Sequence, residues 1–138
     1  MGNHAMYLRD MMQKPRETLN AARENLDKIE FDAIVCCGVS GLLLAPTLAL
    51  YMDKHLAVVR KVSDSNHSEF NVESNMEDGD SWIFVDDLTA TGNTQSYVRE
   101  RMAKLGHGNP VGAYLYTEQM FHRYRGGANA YMPSCAGY

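Results

Sequence analysis

Two adjacent carboxylates, Asp86 and Asp87, end the apolar run Trp82-Ile83-Phe84-Val85, and Leu88-Thr89-Ala90-Thr91-Gly92-Asn93-Thr94 follows at once. A buried strand that runs through a short loop of small and hydroxylated residues into a helix is suited to hold a phosphate. The glycine lets backbone approach a ligand closely, consecutive N–H groups form an anion nest, and the helix N-terminus adds partial positive charge. Thr91 and Thr94 add hydroxyl donors, so the loop can hold a phosphate dianion without a Lys or Arg. The two acids at its rim can accept hydrogen bonds from vicinal hydroxyls and favour a nearby Mg²⁺. A ligand with both features is a ribose 5-phosphate. The plainer reading of one of the two acids is a turn or cap at a strand end, a common use of Asp. The loop is not a nucleotide-binding Gly-x-x-x-x-Gly-Lys-Ser/Thr motif, and the dinucleotide pattern Gly-x-Gly-x-x-Gly is absent.

Two further stretches carry candidate chemistry. Gly38-Val39-Ser40-Gly41 follows the apolar run Phe31–Cys37; taken alone it is also what an ordinary turn between strand and helix looks like. Arg60-Lys61 ends the apolar run that begins at His55. A lysine is a compact point charge and an arginine a bidentate fork, and either can meet phosphate. The plainer alternative is a pair of solvated charges.

The elements that must position these residues alternate in type. Pro15 to Ile29 reads as an amphipathic helix, with Pro15 in its first turn and Leu19, Ala22, Leu26 and Ile29 at helical spacing. Phe31–Cys37 reads as a buried strand, Leu42–Met52 as a helix provided Pro46 lies in its first turn, and His55–Val62 as a second strand. Ser63–Asp80 is polar, acidic and without apolar period, and segments of that length are usually lids or functional loops. Ser81–Val85 reads as the third strand, Thr94–Leu105 as a helix stopped by Gly106, and Val111–Tyr116 as the fourth strand. Thr117–Tyr138 is rich in Tyr and Gly and has no clear period. Strands alternating with helices predict a single α/β domain, a mainly parallel twisted sheet flanked by helices on both faces. In such sheets ligands bind beyond the carboxyl ends of the strands, where both candidate loops fall.

Bulk properties bound the rest. The 138 residues suit one domain, 45% of them are hydrophobic, and the net charge of −4 points to neither nucleic acid nor an anionic membrane. The three cysteines include the adjacent pair Cys36-Cys37 inside an apolar run. No metal-ligand spacing is present, and buried thiols in a reducing, cytoplasmic setting are expected. The longest apolar segment, near Leu42–Met52, falls short of the roughly 20 residues that span a bilayer, and Met1–Asp10 lacks a signal-peptide pattern.

Val85-Asp86-Asp87-Leu88-Thr89-Ala90-Thr91-Gly92-Asn93-Thr94 closely resembles the phosphoribosyl pyrophosphate (PRPP) motif of type I phosphoribosyltransferases. One departure is Thr89, where the family usually has an aliphatic residue. The resemblance extends to Gly38-Val39-Ser40-Gly41 as the pyrophosphate loop, with Val39-Ser40 as the candidate for a cis peptide, and to Arg60-Lys61 as the basic element after the second strand. It implies a phosphoribosyltransferase-like, Rossmann-like domain over residues 1–138, with a core at 31–116, a flexible lid at 63–80 and a small hood built from 6–30 and the tail 117–138.

It implies catalytic roles for Asp86 and Asp87, which would also meet Mg²⁺ indirectly through PRPP. Val39, Ser40, Gly41, Arg60, Lys61 and Thr89 through Thr94 become substrate-binding residues. The partners implied are PRPP, a nucleobase or nucleoside 5′-phosphate, and a second copy of the chain. In oxopurine enzymes an Asp often stands where this chain has Ala90, and orotate enzymes carry a catalytic Lys in the lid, which here has none. The motif therefore looks closer to the adenine enzymes. Phe121, Tyr124, Arg125 and Tyr131 are candidates to cover a base, although packing of the terminal segment is their plainer use; His67 and His122 read as solvated. The alternative to an enzyme is a non-catalytic PRPP- or nucleotide-binding regulator with the same fold.

Overall fold

The computed structural model describes residues 14–60, 71–88 and 92–125. Ten elements follow in order: α1 (Pro15–Leu26), β1 (Ala33–Cys37), α2 (Val39–Leu42), α3 (Ala45–Met52), β2 (His55–Val59), β3 (Val72–Ser74), β4 (Trp82–Asp86), α4 (Asn93–Lys104), β5 (Pro110–Leu115) and β6 (Met120–Arg123). The strands form one sheet in the order β3-β2-β1-β4-β5-β6. β1, β2, β4 and β5 are parallel, and β3 and β6 close the edges in antiparallel sense.

The strand order reverses between β1 and β4. β1 continues outward to β2 on one side, and β4 continues to β5 on the other. This switch point is where a parallel sheet opens a crevice at its carboxyl ends. Alternate side chains of the central strands supply two cores. Ile34, Cys36, Ile83, Val85, Tyr114 and Tyr116 face Leu19, Ala22 and Leu26 of α1 and Leu48 and Ala49 of α3. Ala33, Val35, Cys37, Trp82, Phe84 and Ala113 face Val98 and Met102 of α4. All five residues of β1 are buried, as a strand covered on both faces requires. α4 stops as its sequence predicts: the Gly106 N–H donates to Ala103 O and the His107 N–H to Met102 O, the paired bonds of a Schellman cap.

Four features differ from the sequence reading. The helix expected over Leu42–Met52 is broken into α2 and α3, and α2 occupies the stretch read as a loop. Pro46 has no N–H to give to Leu42 O, and its ring excludes that carbonyl, so the helix restarts with the proline in its first turn. Part of the expected lid is an edge strand: Val72, Glu73 and Ser74 pair with Val59, Val58 and Ala57. Part of the tail is β6, whose Met120 to Arg123 pair with β5 after a turn at Glu118. The bond between Val39 and Ser40 is trans, as are all peptide bonds among the described residues. The rest of the expected lid, 63–70, lies outside the described residues, as do Lys61, Thr89, Ala90, Thr91 and Tyr131.

Candidate active site

β1 and β4 deliver the two loops side by side. β1 ends at Cys37, Gly38 turns the chain, and α2 carries Val39, Ser40 and Gly41 back over the strand ends. Gly41 is buried against both strands. A β-carbon there would lie 2.9 Å from Cys36 Cβ and 2.9 Å from Val85 O, so only glycine lets the loop settle this low. That close approach brings Ser40 to the carboxylates: its Oγ donates to Asp86 Oδ1 at 2.9 Å.

The pair Asp86-Asp87 is held by its own backbone. Asp86 Oδ1 also accepts the Asp87 N–H at 2.9 Å, and Asp87 Oδ1 accepts the Leu88 N–H at 2.7 Å. β5 braces the turn from the other side. The Tyr116 N–H donates to Asp86 O, and both the N–H and the hydroxyl of Thr117 donate to Asp87 O. Asp87 is only 1% exposed, and its Oδ2 is buried with no hydrogen-bond partner among the described residues. A buried carboxylate oxygen without a donor is costly unless a ligand completes it.

Burial lifts the Asp86 carboxyl to about 6; the Asp87 N–H and the Ser40 hydroxyl work against that rise, and the Asp87 charge adds to it. Burial, and then the charges of Asp87 and Asp86, push the Tyr116 hydroxyl well above the usual range, so it stays a donor. Burial, then Cys37 and Asp86, push the Cys36 thiol up to about 12. Cys36 and Cys37 are buried, as expected for packing rather than reactive thiols.

Beyond the loop, Gly92 caps α4 with φ 82° and ψ −5°, the left-handed region that favours glycine. α4 starts at Asn93 with no acidic residue in its first turn. Its first N–H groups and the positive end of its dipole are thereby directed at the loop end. Among the described residues no three His, Cys, Asp or Glu side chains gather as a metal cage. Asp86 and Asp87 offer hard oxygen donors of the kind that suit Mg²⁺, and Asp87 Oδ2 has no partner among the described residues.

A family model described as a phosphoribosyl transferase domain matches residues 7–108. The chain belongs to the phosphoribosyltransferase domain family. A xanthine-guanine phosphoribosyltransferase of Idiomarina loihiensis is 29% identical over 96 residues, covering 64% of this chain and 60% of that protein. An adenine phosphoribosyltransferase of Kosmotoga olearia is 28% identical over 102 residues, with the same two shares, 64% and 60%. The chain spans about three-fifths of the length of these curated relatives. An orotate phosphoribosyltransferase from Aeropyrum pernix shares the fold with a TM-score of 0.67 at 23% identity, covering 82% of this chain and 63% of that one.

The phosphoribosyltransferase fold brings Ser40, Gly41, Asp86 and Asp87 together and sets Gly92, Asn93 and Thr94 at the start of α4. Arg60 follows Val59, which pairs with Cys37 of β1, and so leaves the sheet at the same carboxyl edge as the Gly38 turn. Its guanidinium pairs with Glu73 of β3, with 55% of its side chain exposed. Tyr124 serves the packing role rather than an open face: it is buried, its hydroxyl donates to Gln95 Oε1 at 2.8 Å, and Arg99 lies 4.5 Å above its ring. Phe121 packs against the α1–α3 core. His122 is not the solvated residue expected: its side chain is 17% exposed and Nε2 lies 3.3 Å from Glu118. The sequence reading missed Tyr116 and Thr117 because they follow β5 with no motif to mark them; only their position at a strand's carboxyl end signals the site.

Proposed function

We propose that the protein is an enzyme that moves ribose 5-phosphate from PRPP to a nucleobase, releasing pyrophosphate. The observation that carries the reading is the Ser40–Asp86 hydrogen bond at the switch point. It joins the loop suited to pyrophosphate and the acids suited to ribose into one crevice. Asp86 and Asp87 orient the ribose hydroxyls, and the buried Asp87 Oδ2 is the acceptor that a hydroxyl would complete. The backbone of Val39, Ser40 and Gly41 takes the pyrophosphate. The run from Thr89 to Thr94, with the positive end of α4, takes the 5-phosphate. Lys61 is the basic residue for the pyrophosphate, because Arg60 is engaged by Glu73.

In the reaction the bond from C1′ to the pyrophosphate oxygen breaks, a ring nitrogen of the base bonds to C1′, and the base loses the proton on that nitrogen. The positive charge that develops on the sugar ring favours two carboxylates beside it, and fixed hydrogen bonds need no reorganisation as it forms. Mg²⁺, carried with PRPP, supplies charge neutralisation to the leaving pyrophosphate. Ala90 has no side chain able to take a proton from an oxopurine, which supports an adenine-like base.

The test incubates the protein with PRPP, Mg²⁺ and a panel of purine and pyrimidine bases, following pyrophosphate and nucleotide. Turnover with adenine above the oxopurines and orotate is the expected result. PRPP binding without turnover on any base would replace the enzyme by a regulator that uses the same site.

A further inference from the structure

The two loops of the crevice are tied by a closed ring of hydrogen bonds. Tyr116 Oη donates to the carbonyl of Ser40 at 2.9 Å. Ser40 Oγ donates to Asp86 Oδ1 at 2.9 Å. The carbonyl of Asp86 accepts the Tyr116 N–H at 3.0 Å, which closes the ring. Three strand ends take part: the loop after β1, the end of β4 and the end of β5. The Tyr116 side chain reaches the loop from below, out of the core that faces α1 and α3, and only 5% of the residue is exposed. A buried hydroxyl is costly unless bonded, and here its bond is spent on a loop carbonyl rather than on a neighbour in the core. Gly41, seated on Cys36 and on the Val85 carbonyl, removes the loop's freedom to sink further. The Ser40 peptide is thus fixed from beneath by Gly41 and from the side by Tyr116, and the aim of the Ser40 hydroxyl follows from both.

We infer that Tyr116 is a positioning residue that, by holding Ser40, keeps the pyrophosphate loop in register with the ribose carboxylates, so that both ends of one doubly phosphorylated ribose are gripped together. The inference rests on the phosphoribosyl reading above. Tyr116 acts through Ser40 and does not itself touch the ligand. Without its hydroxyl the Ser40 peptide plane can turn, and pyrophosphate donors and ribose acceptor lose their common frame. The 5-phosphate end, at the start of α4, does not depend on the ring.

The experiment is calorimetric titration, with Mg²⁺ present, of PRPP, inorganic pyrophosphate and ribose 5-phosphate into the wild type, Tyr116→Phe, Ser40→Ala and the double variant. Tyr116→Phe keeps the aromatic ring in the core and removes one hydrogen bond. A roughly three- to tenfold loss of PRPP affinity is expected, with a similar loss for pyrophosphate and less than a twofold change for ribose 5-phosphate. The double variant should lose less than the product of the two single losses, because both open the same ring. A role confined to packing would weaken all three ligands alike or none of them. PRPP affinity within twofold of wild type in Tyr116→Phe, or losses that multiply in the double variant, overturns the inference. Should Tyr116→Phe fail to fold, Tyr116→Leu, which also lacks the hydroxyl, is read in its place: selective loss of PRPP and pyrophosphate supports the ring, and unchanged PRPP affinity sinks it. A folded wild type that binds none of the three ligands contradicts the phosphoribosyl reading itself, which is a different failure.

Discussion

Asp86 and Asp87 stand next to each other in the chain yet in different surroundings. Asp87 is almost wholly buried, with one oxygen lacking a hydrogen-bond partner among the described residues, whereas Asp86 is half-buried and titrates high, near 6. An ordinary Asp titrates about two pH units lower. The raised value means that the apo fold binds a proton that the unfolded chain does not. The Asp86 contribution to stability is therefore fully present below about pH 4 and is lost as pH rises through about 6. Ligand binding runs the other way, because ribose hydroxyls need an ionised acceptor. PRPP affinity should fall as pH drops through about 6, and Asp86→Asn should flatten that part of the profile. Titrating both forms from pH 5 to 8 separates the carboxyl from the ligand's own phosphates, which ionise near 6 in either protein. Gly41→Ala is a second test at this scale. The added methyl meets a backbone carbonyl that cannot swing away, so overpacking of about 1–3 kcal/mol is expected in denaturant unfolding, along with a loss of PRPP affinity. The acids and glycines of both loops were legible because their types are chemically restrictive. Tyr116 was not, since an aromatic residue after a strand looks the same whether it fills space or holds a loop.

The parallel core elements announced themselves through buried, β-branched runs and helical spacing, while the two edge strands did not. β3 has three residues, of which Val72 alone packs on a core, and β6 reads Met-Phe-His-Arg with no alternation. Short edge strands owe their place to pairing with a neighbour more than to their own pattern. The break between α2 and α3 was legible only in part, because Pro46 marks a first turn without saying what precedes it. An ion pair anchors the β3–β4 connection. His55 Nδ1 lies 2.7 Å from Asp80 Oδ2, which also accepts the Glu77 N–H. The bond to Asp80 raises the His55 pKa, burial opposes that rise, and Asp80, Glu77 and Asp32 add to it. A raised histidine stabilises below its unfolded value, near 6.5, and loses that contribution as pH rises through the folded one. Amide exchange at Val72, Glu73 and Ser74 should accelerate above neutral pH relative to pH 6, after correction for intrinsic exchange. His55→Gln should remove the pH dependence; equal protection at both pH values in the wild type would exclude the anchor.

At the level of the whole molecule, two cores on one sheet hold the switch point still. Trp82 is the largest buried side chain, and its Nε1–H donates to the carbonyl of His107 at 2.8 Å. Trp82→Ala leaves a cavity on the α4 face and an unpaired carbonyl, at a cost of about 3–5 kcal/mol, a large share of the 5–15 kcal/mol typical of a domain. Denaturant unfolding should show that loss as a lower midpoint. Fold class, two-faced packing and crevice position could be read from alternation of elements and the carboxyl-end rule. The edge strands Val72–Ser74 and Met120–Arg123 could not, because a polar segment and a tail acquire structure only from what they meet. The carboxyl ends of β1 and β4 are proposed to bind the phosphoribosyl group of PRPP. The most direct measurement is calorimetric titration of PRPP with Mg²⁺ into the wild type and Asp87→Asn, checking by circular dichroism that both are folded. The predicted result is one site per chain and an affinity roughly ten- to hundredfold weaker in the variant, the loss of a hydrogen bond to a charged group. A folded wild type that takes up no PRPP, or a variant that binds it as tightly, would rule out Asp87 as the ribose acceptor of a PRPP site.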